Sequence, residues 1–392
     1  AFTLQKGREH HPFRAFMVAS SISDVTNKLS TSIRTYRAIH RSPLMAFVFS
    51  GQGSQYQRMG LALYEKLESF SQHIDRCFEI YESITGIQLK DILYGDESTE
   101  QDQVNEVIYS GPIKFSFEYS LAKSLIDLGV TPDLVTGHSF GEYTATPPPR
   151  VFSAAAALPL APSRGILMNM TEAGGMLSVD VSREQLDELL VDGVALAAIN
   201  GEENYILSGS KAQLQQLIQR LQNIEANYVE LNFPKAAHSQ LMQPVVKKFA
   251  SVLNSVTFHQ PKIQFYSSYL GREVQNEVTQ PDYWIQHLLC TVNFEAAIRS
   301  ISSQKPVCFL QPGSDKGITH YTKKLIADKD FTVNAVNGKN ETDQDGWNWF
   351  LNQLGLLWSQ QVHINWDRFY DEPPVKISLP TYPFQRRKFP GL

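Results

Sequence analysis

The sequence predicts an α/β protein in which a short parallel sheet carries a reactive turn and a smaller α/β unit is inserted behind it. Two observations predict this. Leu134-Val135 runs into Gly137-His138-Ser139-Phe140-Gly141 and then Glu142-Tyr143-Thr144-Ala145, which reads as strand, sharp turn and helix. Residues 172–236 alternate strand and helix in the order βαββαβ. A chain of 392 residues is long enough for two or three such units and at least one sizeable core.

Taken in order, Ser23 to His40 reads as a helix and Met45 to Phe49 as an apolar strand. That strand enters a Gly-rich loop, Ser50-Gly51-Gln52-Gly53-Ser54-Gln55. Residues 57–94 and 113–128 read as helices, and Gly129-Val130-Thr131-Pro132 as the turn before the Ser139 strand. Within the insert, Gly174 to Val179, Val194 to Ile199, Tyr205 to Ser208 and Tyr228 to Leu231 are strands. Ser182 to Leu190 and Lys211 to Gln222 are helices, which completes a ferredoxin-like pattern. A helical stretch follows from Ser239 to Leu253, then short strands and helices over 262–335, and an amphipathic helix from Trp347 to Trp358. The segment from Thr146 to Ser163 holds five prolines and no acid, so a regular helix ahead of Arg164 is not expected.

Composition narrows the function. The net charge of -5 offers no basic field for nucleic acid. No apolar run reaches the roughly 18 residues of a membrane span, and the polar start carries no secretory signal. Three widely spaced cysteines, Cys77, Cys290 and Cys308, suit a reducing cytoplasmic setting and neither a disulfide framework nor a metal site. The chain starts without Met and ends on a basic, aromatic segment, as a piece of a longer polypeptide would.

The Gly-x-Ser-x-Gly turn points to covalent chemistry at Ser139. Flanking glycines allow the tight turn, and the free N–H groups of the following helix can stabilise an oxyanion. A serine nucleophile also needs a base. Of 10 histidines, His238 stands out, in the loop Phe233-Pro234-Lys235-Ala236-Ala237-His238-Ser239 that leaves the small unit. His138 is expected to point away from the elbow and to be structural.

These motifs resemble, in order, an acyltransferase domain of a modular or iterative polyketide synthase. More distantly, the chain is similar to malonyl-CoA:acyl carrier protein transacylases. The resemblance rests on Val48 to Gln55, Gly137 to Glu142, Ser163 to Met168, Gly174 to Val179, Ala198-Ile199-Asn200-Gly201, Ala237-His238-Ser239, Tyr283-Trp284 with Val292 and Phe294, and Leu379 to Arg387. It implies an α/β-hydrolase-like core over 44–171 and 237–345, the ferredoxin-like small subdomain over 172–236, and linkers at 1–43 and 346–392. It implies that Ser139 is acylated, that His238 is the base, that Gln52 and the Phe140 N–H form the oxyanion hole, and that Arg164 holds a free carboxylate. The loop Leu310-Gln311-Pro312-Gly313 would offer the backbone carbonyl that orients His238. Gly111 and the tetrapeptide Lys235 to His238 would shape the substrate pocket, with Gly111 widening it. Neither tetrapeptide typical of malonyl or of methylmalonyl members is present, and bulky Phe140 leans toward malonyl. The implied substrate is a malonyl-CoA-type acyl-CoA and the acceptor an acyl carrier protein. The implied neighbour is a ketosynthase in the same polypeptide, with no bound cofactor or metal. A serine hydrolase using the same elbow, or a non-catalytic scaffold module, is the alternative.

Overall fold

The computed structural model describes residues 1–31, 33–37, 42–95, 103–328, 330–336, 343–370, 372, 374–381 and 383. Its larger sheet has six strands. Leu44–Phe49 and Leu134–Gly137 lie side by side at the centre, flanked by Val307–Gln311 and Phe331–Asn334 on one side and Gln264–Ser267 on the other. These five are parallel, and Arg272–Val274 closes the edge as the antiparallel half of a hairpin. The central strands are almost continuously apolar because helices cover both faces, as a parallel sheet requires.

The small sheet contains the expected four strands. Asn227–Glu230, Gly174–Asp180, Asn204–Ser210 and Ala195–Gly201 pair antiparallel in that spatial order, which is the ferredoxin-like arrangement. Helices Arg183–Leu189 and Lys211–Asn223 both begin with a serine capping box. A fifth strand, Val292–Asn293, comes from outside the insert and pairs parallel with Ala195–Gly201. It stitches the small unit onto the large one.

Two local expectations are corrected. Ala154–Asn169 is an α-helix despite Pro159 and Pro162 within it. Ser153 caps its N-terminus by accepting from Ala156 N, and the Ser163 hydroxyl donates to the Pro159 carbonyl at 2.8 Å. Burial of Ala157, Leu158 and Leu160 holds the helix against its neighbours, so packing outweighs propensity. Near the N-terminus, the helix is Ile22–Leu29 rather than Ser23 to His40. Tyr36–Arg37 instead pairs with Phe13–Arg14, and positions 38–41 lie outside the described residues. Most of the motif from Leu379 to Arg387 also lies outside them.

The first residues lie against the last described ones. Lys6 pairs with Asp367 at 2.6 Å, Arg14 donates to the Trp358 carbonyl at 2.6 Å, and Ile377 N donates to Thr3 Oγ1 at 2.9 Å.

Candidate active site

Ser139 stands at the strand-to-helix junction with φ 50°. Only glycine fits on either side. A Cβ on Gly137 would lie 2.2 Å from Glu142 N, and one on Gly141 would lie 2.3 Å from Phe49 O. The His138 N–H donates to Phe49 O at 2.8 Å, which fixes the turn to the neighbouring strand. The Ser139 side chain therefore leaves the end of the sheet at the start of helix Gly141–Ala145.

His238 meets it. Ser139 Oγ and His238 Nε2 are 2.6 Å apart, and His238 Nδ1 is 3.0 Å from the Cys290 carbonyl. A carbonyl can only accept, so Nδ1 carries the ring proton and Nε2 is left to accept from the Ser139 hydroxyl. The orienting group is thus a backbone carbonyl, as expected, but from a different place. It belongs to the C-cap of helix Pro281–Leu289, not to Leu310-Gln311-Pro312-Gly313. The latter segment lies beside Glu118 instead: a Cβ on Gly313 would fall 2.4 Å from its Oε1. Burial, and then the charge of Arg164, depress His238 to about 3.

Arg164 is 2% exposed and lines the same cleft of about 300 Å³ as Ser139 and His238. One guanidinium nitrogen donates to Gln52 Oε1 at 3.0 Å, and the group lies over the rings of Phe140 and Tyr143 at 5.6 and 5.9 Å. No carboxylate pairs with it among the described residues, and its Nε has no hydrogen-bond partner there. A buried cation without a counter-charge is costly. An anionic ligand in the cleft would supply that charge.

Gln52 also lines the cleft. Its Nε2 donates to Ser110 Oγ at 2.9 Å while its Oε1 accepts from Arg164, so the side chain is held from both ends. Ala237 lines the cleft too, and its carbonyl accepts from Ser208 Oγ at 2.8 Å.

The cleft lining does not include two of the expected pocket residues, Lys235 and Gly111. Lys235 points away and donates to the Asn169 and Thr171 carbonyls at 2.9 and 2.7 Å. It caps the C-terminal end of helix Ala154–Asn169, where free carbonyls attract a cation. Gly111 opens no extra space. The Phe140 ring and the Gln52 amide already fill its surroundings, and a Cβ there would meet them at 3.2 and 3.3 Å.

His138, Asn200 and Glu142 hold the elbow in place. His138 lines the cleft instead of pointing away, and its Nε2 lies 2.8 Å from Asn200 Oδ1. Asn200 Nδ2 continues to Asn204 Oδ1 at 3.0 Å, so a polar chain ties the elbow to the small sheet. Glu142 is fully buried. It accepts from Ser268 N at 2.6 Å, from Ser268 Oγ at 2.8 Å, and from the Tyr283 hydroxyl. It thereby clamps the elbow helix to the helix that ends at Cys290. Desolvation raises its pKa to about 7. Glu142 sits within a quoted motif, but only the fold reveals its partners.

Fold and geometry together define the class: an α/β protein with a serine on a strand-to-helix elbow, hydrogen-bonded to a histidine across a cleft. The family model of the acyl transferase domain matches residues 46–362. The chain belongs to that family. It is 30% identical over 344 residues to the phenolphthiocerol synthesis polyketide synthase Pks15/1 of Mycobacterium bovis, covering 87% of this chain and 16% of that protein. It is 29% identical over 411 residues to the orsellinic acid synthase armB of Armillaria mellea, covering 99% of this chain and 18% of that one. The chain thus spans less than a fifth of the length of these two synthases. Among solved structures it is similar to the acyl transferase domain of ZmaA, with a TM-score of 0.89 and 29% identity over 97% of this chain and 90% of that one. A malonyl CoA-acyl carrier protein transacylase from Clostridium perfringens shares the fold, with a TM-score of 0.68 at 21% identity over 80% of this chain and 99% of that one. Among the described residues no helix is long and apolar enough to cross a membrane, and no cluster of three or more His, Cys, Asp or Glu could hold a metal ion.

Proposed function

We propose that this chain transfers a dicarboxylic acyl unit from coenzyme A to a carrier-protein thiol through an ester on Ser139. The observation that carries the reading is the buried, carboxylate-free Arg164 in the same cleft as the 2.6 Å Ser139–His238 pair. His238 Nε2 takes the hydroxyl proton as Ser139 Oγ attacks the thioester carbonyl carbon. The Gln52 and Phe140 backbone N–H groups would face the oxyanion, since the Gln52 side chain is committed to Ser110 and Arg164. The carbon–sulfur bond breaks, and the coenzyme A sulfur leaves with the proton from His238. In the second half, the carrier's phosphopantetheine thiol gives its proton to His238 and its sulfur attacks the ester. Ser139 then leaves and recovers the proton.

Arg164 would grip the free carboxylate with parallel hydrogen bonds, so an acetyl unit would leave the charge unmatched. Bulky Phe140 after Ser139 favours malonyl, while small Ala237 beside His238 leaves room for an α-substituent, so methylmalonyl or another substituted malonyl is the second choice. The chemistry calls for no bound cofactor. In the whole polypeptide a ketosynthase would adjoin this chain, in a cytoplasmic setting.

Intact-protein mass spectrometry after brief exposure to malonyl-, methylmalonyl-, larger dicarboxylic and acetyl-CoA tests this. A dicarboxylic adduct that disappears in Ser139→Ala is expected. Absence of any adduct on the wild-type chain would overturn the proposal, and rapid hydrolysis of simple esters without acyl transfer would favour a serine hydrolase.

A further inference from the structure

Helix Val107–Asp127 buries apolar residues and the serines Ser110, Ser116, Ser120 and Ser124, and its two buried charges, Lys114 and Glu118, sit one turn apart and are fully buried. They pair at 2.9 Å. Burying such a pair contributes little net stability, because desolvation offsets the attraction, so the other contacts of the carboxylate matter.

Glu118 reaches two loops. Its Oε2 accepts from Ser50 N at 3.0 Å and its Oε1 from Ser50 Oγ at 2.5 Å. Ser50 is the residue from which the Gly51-Gln52-Gly53 loop departs. The same carboxylate accepts from Gln311 Nε2 at 3.4 Å, at the root of the segment leading to Asp315 and Gly317. Residues 51–54 together with Asp315, Gly317 and Ile318 line the cleft. Further along, the Ser314 hydroxyl donates to Ser54 O at 3.4 Å, so the two loops also touch each other. Ser50 itself lies against the elbow: a Cβ on Gly141 would be 2.8 Å from its carbonyl oxygen.

We infer that Glu118 is a positioning residue for acyl transfer. Its carboxylate anchors the roots of both cleft-lining loops and thereby sets Gln52 relative to Ser139. It does so without touching substrate, because it lies beneath the loops and not in the cleft. Lys114 supplies the counter-charge that allows an acceptor with this many lone pairs to be buried there. This inference rests on the acyl-transfer reading for its kinetic consequence, but its structural content stands on the contacts alone.

Paired variants separate positioning from stability. Lys114→Met with Glu118→Gln removes both charges but keeps an oxygen that can accept from Ser50 N. Lys114→Met with Glu118→Leu removes the acceptor as well. Both exchanges remove a buried ion pair as a unit, which folds are known to tolerate. The leucine pair is expected to acylate Ser139 from malonyl-CoA about tenfold or more slowly at saturation, with KM little changed, while the glutamine pair stays within about threefold of wild type. Amide hydrogen exchange at residues 50–54 and 313–315 is expected to quicken in the leucine pair alone. Equal acylation rates and equal exchange in the two pairs would overturn the inference. If the wild-type chain takes up no acyl group, the acyl-transfer reading falls and exchange alone decides the anchoring. If the leucine pair does not fold, Lys114→Met with Glu118→Met removes the acceptor with a more flexible side chain, and unchanged acylation and exchange there would overturn the inference.

Discussion

Ser139 and His238, 99 residues apart, both lie in the left-handed region, at φ 50° and 56°, and their side chains meet at 2.6 Å. Non-glycine residues adopt that conformation rarely and only where the surroundings hold them there. On one side the elbow glycines do so. On the other, Ala236 O and Ala237 O accept from the hydroxyls of Ser239 and Ser208 at 2.6 and 2.8 Å. The pair is therefore preset, with the serine from the large unit and the histidine from the loop that leaves the small one.

Titration should reveal how Arg164 acts on His238. Burial comes first and the Arg164 charge second in depressing the imidazole to about 3. An NMR titration of the wild-type chain should show no His238 transition between about pH 5 and 8, where a free imidazole would change charge. Arg164→Gln should raise the transition, though not to 6.5, because burial persists. An unshifted His238 would refute the coupling. The same logic makes a bound carboxylate on Arg164 strengthen the base.

Glu142 should make stability fall as pH rises. Its pKa is raised from 4.5 to about 7 by burial, so between those values the folded state holds a proton that the unfolded chain has released. That contribution is complete below 4.5 and lost by about 7. His238, depressed to about 3, contributes the opposite slope below 6.5, so the readout is a difference. Melting temperatures of wild type minus Glu142→Gln, followed from pH 4.5 to 7, should decline. A flat difference would show that Glu142 keeps an ordinary pKa.

Lys235 should matter for stability and not for chemistry. Lys235→Met removes two hydrogen bonds from a buried ammonium to helix-end carbonyls. Chemical denaturation should register a loss of about 1–3 kcal/mol, with the Ser139 acylation rate unchanged. A change in the choice between malonyl- and methylmalonyl-CoA would return Lys235 to the pocket.

Helix Ala154–Asn169 forms in spite of its sequence, so relieving the conflict should stabilise it. Pro159→Ala and Pro162→Ala each restore a backbone donor inside the helix. Each should raise stability by about 1–3 kcal/mol, within the known cost of an interior proline. Urea midpoints measure this, and a loss on substitution would mean that the rings are needed for packing.

Much of the molecule was legible in the chain because its signals are local. The elbow needs glycine on both sides of Ser139, and a capping serine followed by Gln185 or Gln213 starts each small-unit helix. Strand and helix periods then carry the βαββαβ order by themselves. Arg164 and His238 could be named from motif order, but position alone did not say that they face one cleft.

What the tertiary structure decided are relations between distant segments that no local pattern encodes. The carbonyl that orients His238 comes from Cys290, and a backbone carbonyl carries no side-chain identity for a sequence to display. Lys235 turned to a helix end because the free carbonyls there attract a cation, and the space at Gly111 was taken by Phe140 and Gln52. The helix through Pro159 and Pro162 exists because burial against its neighbours outweighs local propensity. Sequence by itself determined which residue types, a serine, a histidine, a glutamine and an arginine, stand at the candidate positions. The fold decided which of them meet, since contact across the cleft depends on how two sheets are stitched together by Val292–Asn293.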